Sequence, residues 1–517
     1  MLRERLGARQ GLASPGPTPS IARVTTPTSP PRAAAPESDE RVARTIRAKH
    51  IGLFAGIAAC LLLLFVPPPA GMKVEAWRTA AVAALMAIWW VTEAIPIAAT
   101  ALVPLVLFPL LGIASMNAAA APYANPVIFL FLGGFLLAAA FQRSGLHRRV
   151  ALAIVASVGT RPDRLVLGFL TATAAISLWV SNTATVVMLL PLAMPVIALV
   201  CGEGEQRKDD PFEPALLLAL AYGASLGGIG TLIGTPPNAL FAGFMAETHG
   251  VRVSFVRWML LGVPLVVISV PIAWLILTRV VHRVGRTPND ATAETVRAQR
   301  QALGPVSRGE KIVGTVVLLA AVAWITQPLL ARVVPAISDA GIAMTAAVLL
   351  FLLPLERERP ALDWASAEAL PWGVLLLFGG GLSLADAIQR TELSLWLGGA
   401  LVGLRAVTVF LVIVLVTTLI VAISELASNT ATAAAFLPLV SSLAVAIGAD
   451  SLQLTVAATL AASCGFMLPV GTPPNAIVFG AGRITIPQMA RAGFLIDLMM
   501  IVLVSVAAYW FAVPVLR

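Results

Sequence analysis

Apolar residues run through this chain in long blocks separated by short polar loops. Blocks of about 17–25 such residues, coiled as helix, match the ~30 Å hydrocarbon core of a bilayer. On that criterion spans are predicted near 50–66, 76–92, 97–113, 126–142, 213–246, 256–279, 311–330, 338–355, 371–389, 451–480 and 493–515. Two more stretches, 164–200 and 407–446, are too long for one helix and carry a polar cluster at mid-length. Irregular backbone at membrane depth is tolerated only where protein or a wet cavity covers it. These two are therefore predicted to be re-entrant hairpins, entering and leaving on one side. The fold class expected is all-α polytopic membrane protein, with about 11 transmembrane helices plus two re-entrant helical hairpins.

Composition agrees, with 58% apolar and only 12% charged residues and a mean hydropathy of +0.90. The net charge of +9 brings nucleic acid to mind, but the cations sit in loops, where they act as topology signals rather than as a phosphate-binding face. No nucleic-acid partner is expected; the lipid bilayer is. Cys60, Cys201 and Cys464 have neither metal-ligand spacing nor a framework to staple, and read as apolar helix residues.

The two polar clusters are the same sequence. Ser-Asn-Thr-Ala-Thr occurs at Ser181–Thr185 and again 247 positions later at Ser428–Thr432. The spacing also relates Leu132–Leu136 to Gly379–Ser383, Gln142-Arg143 to Gln389-Arg390, and Ser177 to Ser424. Downstream, Gly-Thr-Pro-Pro-Asn-Ala occurs at Gly234–Ala239 and at Gly471–Ala476, the shorter spacing fitting a longer polar loop around 202–213 in the first half. Trp90-Val-Thr-Glu93 and Trp324-Ile-Thr-Gln327 add a matching trace upstream. A constant spacing on both sides of a loop marks an internal duplication. Paired interruptions of hydrophobic segments at matching places in two halves point to a transporter binding site.

Five segments are expected along the chain: a disordered cytoplasmic tail, 1–48, too polar and Pro-rich to order itself and lacking the pattern of a cleavable signal; a first transmembrane helix outside the repeats, 49–70; a first repeat, 71–280, with hairpin 164–200 and broken helix 213–246; a cytoplasmic linker, 281–310; and a second repeat, 311–517, with hairpin 407–446 and broken helix 451–480. With the N-terminus cytoplasmic and the C-terminus extracytoplasmic, 27 of the 35 Lys and Arg residues fall inside, as the positive-inside rule requires. An odd number of crossings separates matching points, so the repeats are inverted and the hairpin tips meet near midplane.

Ser, Asn and Thr oxygens suit a hard cation. The same residues favour helix N-caps, so each tip is predicted to end one arm and begin the next. Gly234 and Gly471 are expected to end the first half-helices, Thr235 and Thr472 to cap the next, and Pro236 and Pro473 to fill their first turns. Four helix N-termini with about +0.5 charge each bind an anion without Lys or Arg, and none of the four motifs contains either. Glu425 precedes the second motif where the first half has Leu178, so a symmetric site does not need it. An enzyme would need a nucleophile–base pair, paired acids or His-Glu-x-x-His; the motif serines have no such companions, and none is predicted.

Ser177-x-x-x-Ser181-Asn182-Thr183, Ser424-Glu-x-x-Ser428-Asn429-Thr430, both Thr-Pro-Pro-Asn loops and Trp90-x-Thr-Glu93 together resemble the divalent anion/sodium symporters, over roughly residues 50–517. The resemblance implies hairpin tips at both Ser-Asn-Thr motifs, a mobile transport domain, a dimerising scaffold domain and elevator movement. It implies two co-transported Na+ ions, one on Ser177, Ser181, Asn182 and Gly234, the other on Ser424, Ala427, Asn429 and Gly471. Substrate would meet Ser181, Asn182, Thr183, Thr235 and Pro236 in one half and Ser428, Asn429, Thr430, Thr472 and Pro473 in the other. The implied function is sodium-coupled uptake of a C4-dicarboxylate such as succinate, malate or fumarate across the cell inner membrane, by a homodimer. Citrate/dicarboxylate exchange and sodium/sulfate symport are the alternatives on this fold.

Overall fold

The computed structural model describes residues 36–201, 210–285, 290–356, 359–400 and 407–517. Helix dominates throughout; apart from one small antiparallel ladder, Pro354–Glu356 with Arg359–Pro360, no strand occurs among the described residues. Among the described residues eight helices are long and apolar enough to cross a membrane, and shorter apolar helices accompany them.

By contacts the chain divides at Arg47 and Ala48. Residues 1–35 of the expected tail lie outside the described residues. The rest of that expectation is corrected, because helix begins at Pro36 and runs to Phe65. Pro suits a first helical turn, and Glu37/Arg41 and Glu40/Arg44 have the acid-before-base i,i+4 spacing that supports helix even in a polar segment.

Each predicted hairpin is two helices joined at its Ser-Asn-Thr motif. Pro162–Ser177 leads to Asn182–Cys201, and Val409–Ser424 leads to Asn429–Ile447. Each broken helix is likewise two pieces, Phe212–Gly228 with Pro236–His249 and Ser451–Ala462 with Pro473–Gly480. The predicted span 97–113 is instead two short helices, Ile97–Thr100 and Val103–Leu110. Pro104 has no N–H for the Thr100 carbonyl, which interrupts the ladder there.

The halves are exchanged around one another. Gly133 of helix Pro126–Arg143 presses on Ala343 of the other half, where an added Cβ would lie 2.6 Å from the Ala343 Cβ. Its repeat partner Gly380, in helix Trp372–Arg390, presses back on Ala101, where a Cβ would lie 2.4 Å from the carbonyl oxygen. Lipid offers no hydrophobic drive for helices to associate, so close approach at small residues does that work. The hairpins repeat the exchange: Asn182–Cys201 packs on Pro473–Gly480, and Asn429–Ile447 packs on Pro236–His249.

Ion pairs between distant segments sort into two groups. Lys49–Glu93, Arg143–Asp363, Arg149–Glu310, Arg279–Asp163 and Arg483–Glu213 each join two ends that the expected topology puts on the cytoplasmic face. Lys73–Glu392 and Arg517–Asp450 each join two ends on the opposite face. The Arg143 guanidinium, helped by Ser366, holds the Asp363 carboxyl well below the usual carboxylate range. Arg149 also reaches the carbonyls of Leu303, Gly304 and Pro305, clamping the end of the linker. The linker helix Asp290–Ala302 lies against Asn182–Cys201, the trailing arm of the first hairpin.

This sorting generates a topology prediction. Single cysteines at Arg300, on the linker, and at Gly448, after the second hairpin, both exposed, will react with a membrane-impermeant maleimide from opposite faces. Labelling of both from one face would exclude the arrangement.

Candidate functional site

At the first tip, Ser177 is the last residue of its helix, and the next helix begins with a Thr185 N–H bond to Ser181 O of 3.0 Å. The N–H groups of residues 182–184 consequently have no acceptor within their own helix. Ser177 Oγ lies 2.8 Å from Ala224 O and 2.8 Å from Asn182 Oδ1, and its single proton serves one of them. The Asn182 amide atom facing this cluster is also 3.1 Å from Ala224 O and 3.2 Å from Gly234 O. With nitrogen inward, the amide donates to these oxygens. With oxygen inward, four oxygens converge, an arrangement that suits a bound cation.

The second tip repeats the arrangement. Thr432 N–H bonds Ser428 O at 2.8 Å, leaving the N–H groups of 429–431 without an intrahelical acceptor. Ser424 Oγ donates to Ala462 O at 3.2 Å, and the inward amide atom of Asn429 lies 3.2 Å from both Ala462 O and Gly471 O. All donors here are neutral oxygens or amides. Ser177, Asn182 and Gly234 are thus brought together, as are Ser424, Asn429 and Gly471. Ala427 is buried in the second turn. The sequence reading missed the carbonyls of Ala224 and Ala462, since nothing in a residue's identity marks its backbone oxygen as exposed.

The breaks differ from expectation in two ways. The first half-helices end at Gly228 and Ala462, several residues before Gly234 and Gly471. Both glycines take ordinary φ values, so their role is space: a Cβ on Gly234 would lie 2.4 Å from Gly228 O, and one on Gly471 3.1 Å from Glu425 Oε2. Thr472 caps its helix through Asn475 N, but the Thr235 hydroxyl makes no cap bond. Likewise Ser428 stands at the N-cap without capping. Pro236 and Pro473 do open the post-break helices.

The fourth residue of each Thr-Pro-Pro-Asn loop proves structural. Asn238 Nδ2 donates to the carbonyls of Gly228 (3.0 Å), Ile229 (3.3 Å) and Thr231 (2.8 Å). Asn475 Nδ2 donates to those of Gly465 and Leu468, both at 3.0 Å. The duplication of that Asn was the available signal. Glu425 adds an interaction the first half lacks, accepting from Phe466 N (2.6 Å), Met467 N (2.8 Å) and Leu468 N (2.9 Å).

Surroundings separate the tips. A cavity of about 620 Å³ reaches Ser428 and Thr430, walled by Ile95, Pro96, Ile97, Gly373 and Val374 with Lys49 and Glu93 among its lining. Beside the first tip lies a smaller apolar cavity of about 330 Å³, lined by Leu178, Trp179, Val180 and Trp324. There Trp179 stacks on Phe255 and Trp324, which stack on each other with centroids 4.4 Å apart. Among the described residues no hydrogen bond joins the two tips directly, and Thr183 is exposed whereas Thr430 is buried.

Residues 47–516 match the family described as the sodium:sulfate symporter transmembrane region. The chain is 40% identical to the sodium-dependent dicarboxylate transporter SdcS of Staphylococcus saprophyticus over 476 residues, covering 90% of this chain and 92% of that one. It is equally similar, 40% over 472 residues, to SdcS of Staphylococcus aureus, covering 89% of this chain and 90% of that one. Two solved structures share the fold at low identity. The YdaH transporter of Alcanivorax borkumensis superposes with a TM-score of 0.52 at 17% identity, over 91% of this chain and 98% of that one. MtrF of Neisseria gonorrhoeae also gives 0.52, at 14% identity over 91% and 95%. With a family match over nearly its whole length and relatives at this identity, the chain belongs to the sodium:sulfate symporter family of membrane transporters.

Proposed function

We propose that this protein couples sodium entry to uptake of a C4-dicarboxylate such as succinate, malate or fumarate. The observation that carries the reading is the pair of neutral oxygen clusters, Ser177/Asn182/Ala224/Gly234 and Ser424/Asn429/Ala462/Gly471. Each has oxygen ligands of the kind sodium takes, and each brackets a tip with unspent N–H groups. Two sodium ions then balance a dianion. The positive field arrives with the cargo, so the four motifs need no fixed Lys or Arg that would want a partner after release. Relatives of this chain bear the name of sodium-dependent dicarboxylate transporters, which supports the choice of anion.

In the mechanism, sodium turns each Asn oxygen inward and fixes the turn; the anion then docks on the N–H groups and on the hydroxyls of Thr183 and Thr430, with Ser181, Ser428, Thr235 and Thr472 nearby. Helix N-termini favour such an anion without a cation on the side chain. Movement is proposed as an elevator of inverted repeats against a dimerising scaffold. The surroundings of the tips are unequal: a polar-edged cavity reaches the second tip, and an apolar cavity with an aromatic stack flanks the first. The ion-pair sorting supports termini on opposite faces, and the excess of Lys and Arg on the N-terminal side supports that face as the cytoplasmic one.

Purified protein in liposomes is expected to accumulate labelled succinate when a sodium gradient is imposed and not when choline replaces sodium. Uptake without sodium, or sulfate displacing succinate as the accumulated anion, would overturn the assignment. Asn182→Ala and Asn429→Ala should each weaken sodium binding by about 1–3 kcal/mol, the cost of stranding charged or buried partners. The sodium dependence of uptake reports this as a shift to higher concentration; an unchanged dependence would remove that residue from its ion site.

Thr430→Val keeps the volume and deletes one donor in the cavity. Succinate affinity is expected to fall roughly 5- to 150-fold, read by calorimetry in sodium. Because sodium and anion enhance each other's binding equally, wild-type succinate binding of the same strength in sodium and in choline would contradict the coupled site.

A further inference from the structure

The apolar part of the first helix, Lys49–Phe65, lies outside both repeats. It docks on the second helix, Val74–Thr92, through two glycines about one turn apart. A Cβ on Gly52 would lie 2.2 Å from Thr92 Oγ1, and one on Gly56 2.5 Å from Trp89 Nε1. Trp89 Nε1 also donates to Leu53 O at 3.2 Å. Small residues four apart let helices approach closely in lipid. This contact sets Lys49, just before Gly52, beside Glu93, which follows Thr92. Ammonium and carboxylate are 3.8 Å apart, an ion pair beyond hydrogen-bond distance, and both side chains are about half exposed.

Glu93 ends its helix in the left-handed conformation, φ 47°, with Ala94 N–H bonding Trp89 O at 3.2 Å. Glycine is the usual residue at such a turn, because a Cβ strains that backbone. Side chains kept in strained conformations cluster at functional sites. The second repeat supplies the comparison. Gln327 matches Glu93, but its helix, Arg308–Val333, runs on past it, and its amide donates to Ile337 O at 3.1 Å. That copy has neither the turn nor the charge. In the first copy the turn starts the segment 93–98, which Trp90 Nε1 holds through Ile97 O at 3.3 Å. The same segment walls the cavity of about 620 Å³ that reaches Ser428 and Thr430. Lys49 is the only cation among the described residues that line it.

We propose that Lys49 is an anion-docking residue at the edge of this cavity, with Glu93 as its exchangeable partner. A substrate carboxylate takes the place of the Glu93 carboxylate on the Lys49 ammonium, and the dianion then passes to the neutral second tip. An ammonium has three donors on a flexible stem and receives a carboxylate in several orientations. A loose, half-exposed pair contributes little stability, so the exchange is shallow in both directions. A tight Lys–carboxylate bond would instead hold the anion back from the tip. With no anion present, Glu93 keeps the lysine compensated. The first helix thereby delivers a charge that the two inverted repeats do not supply. This rests on the sodium-coupled dicarboxylate reading, to which it adds a residue outside the four motifs.

The two ends of the pair separate docking from simple pinning of the helices. Succinate KM is measured in inverted and in right-side-out membrane vesicles, which present opposite faces. Lys49→Met, which keeps the length and deletes the charge, is expected to raise KM about 2- to 5-fold, and Lys49→Arg to restore it. Glu93→Gln, which removes the competing carboxylate, is expected to lower KM by a similar factor. Both shifts are expected only in the vesicles that expose the N-terminal face, with KM at the other face as in wild type. A pair that merely pins two helices moves KM in one direction whichever end is removed, and on both faces. Shifts of the same sign, shifts on both faces, or no shift would overturn the proposal. A variant that does not transport is read by succinate calorimetry on the purified protein in sodium, where the same opposite shifts are required. Sodium-driven uptake by wild type in the same vesicles tests the transport reading separately.

Discussion

A helix broken inside a membrane strands backbone carbonyls and amides where no lipid group can bond them. The centre of this protein is organised by how those groups are answered. At both breaks an asparagine amide collects the loop carbonyls, Asn238 in the first half and Asn475 in the second. In the second half Glu425 gathers three N–H groups as well. What remains has a consistent chemistry: carbonyls of Ala224, Gly234, Ala462 and Gly471, set beside a Ser hydroxyl and an Asn amide.

Close approach makes that geometry attainable. Gly228 and Gly234 let the break fold back until its carbonyls reach the hairpin turn, and even one methyl group on either would collide. The same principle holds the halves together through Gly133 and Gly380. Helices in lipid gain little from burying apolar surface against each other, so packing of small residues and interhelical hydrogen bonds carry the association. A site made of neutral groups suits this setting. On the proposed reading its charge arrives and leaves with the cargo, so no fixed ion is left unpaired at membrane depth.

The two halves share a design and differ in use. Beside the first tip, Trp179, Phe255 and Trp324 form an apolar stack. Around the second, a polar-edged cavity reaches Thr430. Leu178 against Glu425 is the same divergence at one position. Duplication supplies the scaffold twice, and single substitutions then give one copy an acid the other never needed.

The amino-acid sequence by itself determined the class, the duplication and both pairs of motifs, because hydropathy blocks and repeated polar words are local signals that survive without coordinates. It also placed the hairpin turns within a residue or two, since a Ser-Asn-Thr run at membrane depth is costly unless it ends one helix and starts the next. The ends of the first half-helices, Gly228 and Ala462, were not legible, nor was the failure of Thr235 to cap, because both depend on what the neighbouring hairpin presents. The helical start at Pro36 was missed for a different reason: charge spacing outweighed a composition that looked disordered. Only the tertiary structure decided which carbonyls face Asn182 and Asn429, that Asn238 and Asn475 hold the breaks, and that Glu425 gathers the N–H groups of Phe466, Met467 and Leu468. Those contacts join segments that lie apart in the chain, and backbone oxygens carry no residue identity by which a sequence could announce them.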